Sequence, residues 1–167
     1  MPGSRDVAVA RARDAALTFE LPTPFSVRAV LQKLERDRGR RIALHPVPPG
    51  WGGTSGWCGA WLPELGTDHI VFVRDPASTV RNALTVLHEV GHIVLAHDGA
   101  PLPPDVDLQV VGLSGVSGGR GRTAFDDPEE EAAETFSSIL LRQAMARGSV
   151  DLDDTDPQSV LLKARLG

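Results

Sequence analysis

The segment His88-Glu89-Val90-Gly91-His92 constrains this chain more than any other part of it, because it implies both a secondary structure and a chemistry. Two histidines four residues apart project from one face of a helix, where both imidazoles can bind a single metal ion. In the usual interpretation of this spacing the pair binds Zn²⁺, and Glu89 accepts a proton from the water molecule that attacks a peptide carbonyl. The motif therefore predicts a metal-dependent hydrolase.

The neighbours of the motif favour a buried helix over a chance match on an exposed one. The apolar residues around it are Val86, Leu87, Val90, Ile93, Val94 and Leu95. An exposed amphipathic helix would carry more charge. Gly91 costs about 1 kcal/mol of helix propensity relative to Ala, which indicates that another element packs there too closely for a side chain.

Length, charge and cysteine content narrow the class of protein. A chain of 167 residues is long enough for one domain with its own core. Its net charge of −5 argues against nucleic acid as a direct partner. A single cysteine, Cys58, allows neither an internal disulfide nor a thiolate zinc cluster. Because no apolar run approaches the roughly 20 residues of a membrane span and the N-terminus lacks a secretory pattern, we expect a cytoplasmic protein that does not bind membranes.

Apolar spacing and capping residues predict an α+β fold in the order helix, strands, helix. The Ala-rich stretch 5–17 has a weak apolar stripe and predicts a marginal helix or arm. Stronger helices are predicted behind three capping residues. They run from Ser26 to about Arg38, from Ser78 to around His97 and Gly99, and from Asp127 to about Arg147.

Three strand patterns lie before the helix that carries the motif, at 41–47, about 58–62 and 69–73. They predict a small, mostly antiparallel sheet packed against the motif helix and against a later helix that bears a further ligand. The main domain is expected to span 23–147, after an N-terminal arm at 1–22.

Two segments fall outside this regular pattern. Residues 101–127 are rich in Pro, Gly, Ser and Asp, and a connection of this length is usually a functional loop or a disordered insert. Both a substrate-binding lid and an unselected flexible insertion remain open. Residues 148–167 are expected to form an acidic linker and a short C-terminal helix that starts at Pro157.

A catalytic zinc site keeps three protein ligands and one open position, so His88 and His92 need another donor. On the helix that begins at Asp127, helical spacing puts Glu129 and Glu130 at the edges of the buried face. Glu130 could instead complete a capping box with Asp127, and Glu129 could favour the helix dipole. Either glutamate remains a candidate ligand.

Three other histidines compete for the same role. A continuous helix would turn His97 away from the ligand face, so the helix would have to break first, and the next glycine is Gly99. His45 and His69 lie in predicted strands, where a lone histidine is more often hydrogen-bonded than a ligand.

Two blocks of sequence resemble the ImmA/IrrE family of bacterial metallopeptidases. The first block runs from His88 to His97, and the second runs from Glu130 to Phe136 and is followed by a Leu pair at 140–141. With the N-terminal half included, the resemblance covers roughly residues 24–145. The HExxH block alone is shared by many zincins, and the second block narrows the choice.

This resemblance implies a zincin-like fold with the catalytic base on Glu89 and two zinc ligands on His88 and His92. In the family a third ligand is a Glu six residues before a Phe. Counting back from Phe136, the position falls on Glu130.

The chain also departs from the family at Glu134, where the family usually has Asn. This carboxylate could pair with a histidine or alter the electrostatics of the metal. Glu134, like Glu129, therefore remains a possible metal ligand in place of Glu130. The ligand types favour Zn²⁺ but leave Mn²⁺ and Fe²⁺ open.

By resemblance the chain would be a zinc-dependent endopeptidase that cleaves a protein partner, such as a helix-turn-helix repressor or an antitoxin, to relieve control of stress or mobile-element genes. Two alternatives are a metal-binding regulatory module that does not cut, and the toxin component of a toxin-antitoxin pair. Many zinc peptidases stabilise the oxyanion with a Tyr or His, but this chain has no Tyr. The available substitutes are His69, His97, Arg120 and Arg122.

Overall fold

The structure is a computed structural model that describes residues 1, 3–50, 58–64, 66–98, 109, 112–113, 127–148 and 150–152. These residues form an α+β fold with small mixed sheets. No helix among them is both long and apolar enough to cross a membrane. The elements in chain order are α1 (Ser4–Thr18), β1 (Phe25–Ser26), α2 (Val27–Arg38), β2 (Arg41–Val47), β3 (Gly59–Pro63), β4 (Thr67–Val73), α3 (Thr79–Val94), α4 (Asp127–Arg147) and β5 (Val150–Asp151).

Three parts of the sequence prediction lie outside the described residues. They are the turn at 51–57, most of the loop at 101–127, and the C-terminal helix from Pro157.

A three-stranded sheet has β4 at its centre, between β2 and β3. β3 and β4 pair antiparallel, whereas β2 pairs parallel with β4 from Arg41↔Thr67 to Val47↔Val73. The sheet is therefore mixed, and the expectation of a mostly antiparallel sheet was wrong. The physical reason is the long connection from β2 to β3, which allows the chain to cross to the far edge before β4 folds back into the middle.

Alternation along β4 divides its side chains between the two faces of the sheet. Ile70 and Phe72 belong to the main core, which also contains residues of α1, α2, α3 and α4. Val71 belongs to a smaller cluster on the other face, with Leu62. His69 shares the face of Val71, so it lies on the opposite side of the sheet from α3.

The helix α1 is better anchored than the marginal helix or arm that its sequence predicted. It packs along α4, and Ala12 and Ala16 are fully buried in the main core. At the surface Arg5 pairs with Glu131 of α4. Alanines allow two helices to approach closely without producing a strong apolar stripe, so periodicity alone did not reveal this docking.

Most of the other helix and strand boundaries follow their sequence signals. β2 has the predicted limits, and the caps of α2 and α3 are formed by Ser26 and Ser78, whose Oγ atoms accept backbone hydrogen bonds at 3.0 and 3.2 Å. One exception is the segment after α4, which was expected to be a linker. Val150 and Asp151 instead form β5, which pairs parallel with β1.

A buried carboxylate holds the beginning of β4 in place. Asp68 is fully buried and accepts hydrogen bonds from Arg38 Nη1 (2.6 Å), from Arg40 Nε and Nη2 (3.1 Å each) and from Trp61 Nε1 (3.0 Å). Burial raises the pKa of Asp68, but the hydrogen bonds from Arg40, Trp61 and Arg38 outweigh it and hold the pKa below its usual 3.8. The network is therefore charged in the folded protein at neutral pH.

We predict that Asp68→Asn lowers the free energy of unfolding by about 2 kcal/mol at pH 7, because the half-buried guanidinium groups of Arg38 and Arg40 lose their buried counter-charge. The folded pKa lies below the unfolded one, so the carboxylate's contribution is complete above pH 3.8 and is lost as the pH falls through the folded-state pKa. Urea titrations from pH 7 to pH 2 measure both effects.

The two proteins should converge in stability toward acid pH, and a gap that stays constant over this range would contradict the account. Asp37→Asn is the matched control. Asp37 pairs with Lys33 on the exposed side of α2, so its loss should change stability by only about 0.5 kcal/mol.

Candidate metal centre

The helix α3 presents His88 and His92 on one face, as their spacing predicted. Their Nε2 atoms lie 3.0 Å apart, and the two rings are nearly perpendicular, at 74°. His92 is fully buried, whereas His88 is partly exposed. The pair thus lies at the boundary between the core and an open cleft.

A close helix–helix contact brings the further donor to this pair. A Cβ on Gly91 would lie only 3.1 Å from both Cα and the carbonyl oxygen of Ala133 on α4. The sequence interpretation of Gly91, that something packs too closely for a side chain, is confirmed. Since Ala133 lies about one turn after Glu130, the same contact sets Glu130 opposite the two histidines.

His88, His92 and Glu130 form a group that could hold a metal ion, with one donor atom from each within 4.8 Å of the others. Glu130 Oε2 is 3.1 Å from His88 Nε2, and Glu130 Oε1 is 3.5 Å from His92 Nε2. Ligands of a tetrahedral zinc ion, each about 2.1 Å from the metal, lie about 3.4 Å from one another. The three donor atoms therefore fit a small divalent ion with modest adjustment.

The surroundings of His88 and His92 favour different protonation states for the two imidazole rings. Burial, together with the nearby His88 and His97, lowers the pKa of His92 to about 2, so its ring is neutral and keeps a lone pair for a metal. Burial also lowers the pKa of His88, but Glu130, Glu89 and Glu134 raise it overall. A cation is thus favoured at His88, either as a proton or as a metal ion.

Glu89 lies beside this group in an unusual state. It is 4 % exposed, and burial is the main reason that its pKa is raised to about 8. The charge of His88 opposes this increase, and the charge of Glu130 adds to it. Within the described part of the chain, Oε2 of Glu89 has no hydrogen-bond partner. A buried carboxyl oxygen without a partner is costly, which is understandable if a water molecule or a bound ligand satisfies it.

The position of Glu89 depends on Gly59 in β3. A Cβ on Gly59 would lie 2.8 Å from Oε1 of Glu89, which is closer than real Cβ atoms come. The sequence analysis missed this residue. The available signal was a glycine inside a predicted strand, which often marks the close approach of another group.

The group opens into a cleft of ≈ 400 Å³. Its lining includes Gly59, His88, Glu89, Glu130 and Glu134. The carboxyl group of Glu89 and two of the proposed ligands, His88 and Glu130, therefore face a space that can admit part of a larger molecule, whereas His92 is fully buried.

Neither alternative to Glu130 belongs to the group that could hold a metal. Glu129 Oε1 accepts a hydrogen bond from the backbone of Asp98 at 3.4 Å, and Glu129 does not belong to the group that could hold a metal. Glu134 is exposed at the cleft and acts on His88 through its charge. Of the three roles considered for Glu134, partner to a histidine, electrostatic influence and substitute ligand, this geometry supports the electrostatic one.

The strand histidines are hydrogen-bonded to one another and do not face the site. His45 Nε2 and His69 Nδ1 are 2.9 Å apart, and His69 Nε2 is 2.9 Å from Glu64 Oε2. Because His69 lies on the face of the sheet away from α3, it is not placed to stabilise an oxyanion at the cleft. Arg120 and Arg122 lie outside the described residues.

His97 is near the site, although the predicted helix geometry had argued against it. α3 ends at Val94, earlier than the expected end around His97 and Gly99, and Ala96 turns the chain with a φ of 55°. An alanine in this left-handed region costs roughly 1–2 kcal/mol. The fold accepts this cost at Ala96, so the expectation that a break required a glycine was wrong. The turn brings His97 to His92, on the side of the His92 ring away from Glu130.

Comparison with models of protein families, with curated proteins and with solved structures found no match to this chain. The resemblance to the ImmA/IrrE family therefore stands only on the sequence features described above, the two blocks and the N-terminal half.

We predict that Gly59→Ala lowers the free energy of unfolding of the metal-free protein by about 1–3 kcal/mol, because the new methyl group overlaps the carboxyl group of Glu89. In a Glu89→Ala background the same substitution should cost much less, since the overlapping atoms are gone. The two single variants and the double variant form a cycle, measured by urea unfolding, whose coupling isolates this contact.

Gly3→Ala is the control, since its Cβ would make only an ordinary contact of 3.7 Å with Asp6. Additive effects at 59 and 89 would show that Gly59 does not set the position of Glu89.

Proposed function

We propose that this chain is a zinc-dependent endopeptidase with a zincin-like fold, similar to the ImmA/IrrE family, which cleaves a regulatory protein. The observation that carries the proposal is the joint placement of a metal-ligand group and a buried carboxyl group on one cleft. His88, His92 and Glu130 supply the donors, and Glu89 lies beside them with an oxygen that lacks a partner in the described residues.

The residues fit Zn²⁺ in number and type, since two imidazoles and one carboxylate are a common ligand set of catalytic zinc and leave a position open. When bound, Zn²⁺ acts as a Lewis acid that makes water a better nucleophile and stabilises negative charge on a carbonyl oxygen. His88, the neutral ring of His92 and the carboxylate of Glu130 would hold the ion, and the close contact between α3 and α4 sets the positions of these donors.

Glu89 performs the proton transfers. Its carboxyl group takes a proton from the attacking water and gives it to the amine that leaves when the peptide bond breaks. A pKa that burial has raised suits this role, because a base works best when its pKa is near the working pH. Oε2, which has no hydrogen-bond partner among the described residues, is the oxygen available to accept the proton.

The protein substrate is proposed by resemblance, as a helix-turn-helix repressor or an antitoxin. The cleft is of a size that accepts a few side chains of an extended peptide rather than a folded domain. Cleavage would then occur in a segment of the partner that can extend into the cleft.

We predict that Glu89→Gln lowers the kcat/KM for protein hydrolysis by about 10²–10⁴-fold, the contribution of a general base, without loss of zinc. Purified protein loaded with one equivalent of Zn²⁺ is incubated with fluorescein-labelled casein and with a panel of purified helix-turn-helix repressors and antitoxins. Cleavage is followed by fluorescence and by mass spectrometry, and bound zinc is measured in every sample.

Glu131→Gln is the matched control, because Glu131 lies next to Glu130 in α4 but pairs with Arg5 at the surface. It should behave like the wild type. Zinc binding with unchanged cleavage in Glu89→Gln would contradict the mechanism. Zinc binding and capture of the partner with no cleavage by the wild type would favour a regulatory module, and growth arrest on expression without proteolysis would favour a toxin.

A further inference from the structure

The end of α3 returns the chain toward its own last turn. The backbone N–H of His97 donates to the carbonyl oxygen of His92 at 3.0 Å, and the N–H of Ala96 donates to that of Ile93 at 3.2 Å. These are the two bonds of a Schellman motif, in which the residue after the helix cap adopts a positive φ. Ala96 takes that conformation, with a φ of 55°. The turn therefore fixes His97 beside His92 through the backbone.

The side chains of these two residues meet through defined atoms. Nδ1 of His97 lies 2.8 Å from Nδ1 of His92, with ring centroids 5.0 Å apart. The other ring nitrogen of His92, Nε2, is the atom that faces His88 and Glu130. His97 thus contacts His92 from behind, on the nitrogen that cannot reach the metal position.

Proton positions follow from this arrangement. A metal at Nε2 of His92 needs the lone pair of that atom, so the proton of the neutral ring must lie on Nδ1. Nδ1 of His92 then donates to Nδ1 of His97, which must be an acceptor and carry its own proton on Nε2. The opposite order would put the proton of His92 on Nε2 and block metal binding.

We propose that His97 is a positioning residue for the metal centre, whose Nδ1 accepts a hydrogen bond from Nδ1 of His92 and so fixes the orientation and tautomer of that ligand. The proposal rests on the metal site of the proposed function. Ligating histidines usually donate their other N–H to a neighbouring acceptor, and loss of such an acceptor weakens metal binding or activity by about 10–100-fold. Here the acceptor is a second imidazole supplied by the same helix end.

Substitutions at His97 test this role through metal affinity. His97→Ala should weaken the Kd for Zn²⁺ by about 10–100-fold, whereas His97→Asn should restore it to within a few-fold, because the amide oxygen of Asn can occupy the place of Nδ1. Titration against a chromophoric chelator gives the Kd, and the visible spectrum of the Co²⁺-loaded protein reports the geometry of the ligands.

His45→Ala is the matched control, since His45 also contacts another imidazole but lies on the sheet, away from the cleft. It should leave the Kd unchanged. Equal affinity in His97→Ala and the wild type, or equally weak affinity in the Ala and Asn variants, would overturn the proposal.

Nitrogen NMR of the histidine rings in the zinc-loaded wild type provides a test that does not depend on any variant folding. We expect the proton of His92 on Nδ1 and that of His97 on Nε2, and a proton on Nδ1 of His97 would overturn the assignment. If the wild type binds no zinc at these ligands, both this proposal and the proposed function fail. If it binds zinc and cleaves protein while His97→Ala keeps full affinity, only the role of His97 fails.

Discussion

The contact between Gly91 of α3 and Ala133 of α4 governs the geometry of the whole site. The two helix backbones approach so closely that a methyl group on residue 91 would crowd the Cα and carbonyl oxygen of Ala133. Glycine inside a helix costs about 1 kcal/mol relative to alanine, so Gly91 lowers the intrinsic stability of α3 in exchange for this close packing. It places a carboxylate from one helix against two imidazoles from the other, which neither helix could achieve alone.

The same principle extends outward from this contact. Gly59 gives β3 room for the carboxyl group of Glu89, and the turn at Ala96 brings a second imidazole behind His92. At each of these places the backbone gives up local stability or side-chain volume so that a polar group can take a specific position near the donor atoms. Sites of catalysis or binding commonly show this pattern, because strain and unsatisfied groups persist only where the surrounding core holds them.

Local signals predicted a large part of this arrangement, and tertiary contacts determined the rest. Helical periodicity placed His88 and His92 on one face, and helical spacing left Glu129 and Glu130 as candidate donors on the later helix. The parallel pairing of β2 with β4, the docking of α1 through Ala12 and Ala16, and the contact of His97 with His92 were not predicted. The first two depend on residues that meet only after the chain has folded, and alanines at the interface leave almost no periodic signal. The third is local, but it depends on a left-handed turn at Ala96, where no glycine signals the end of the helix.

The most direct test of the central claim is a crystal structure of the protein grown with Zn²⁺, with anomalous data collected at the zinc absorption edge. The account predicts a single strong peak about 2.0–2.2 Å from Nε2 of His88, Nε2 of His92 and one carboxylate oxygen of Glu130. A peak whose ligands omit Glu130 or either histidine, or the lack of any peak between α3 and α4, would contradict it.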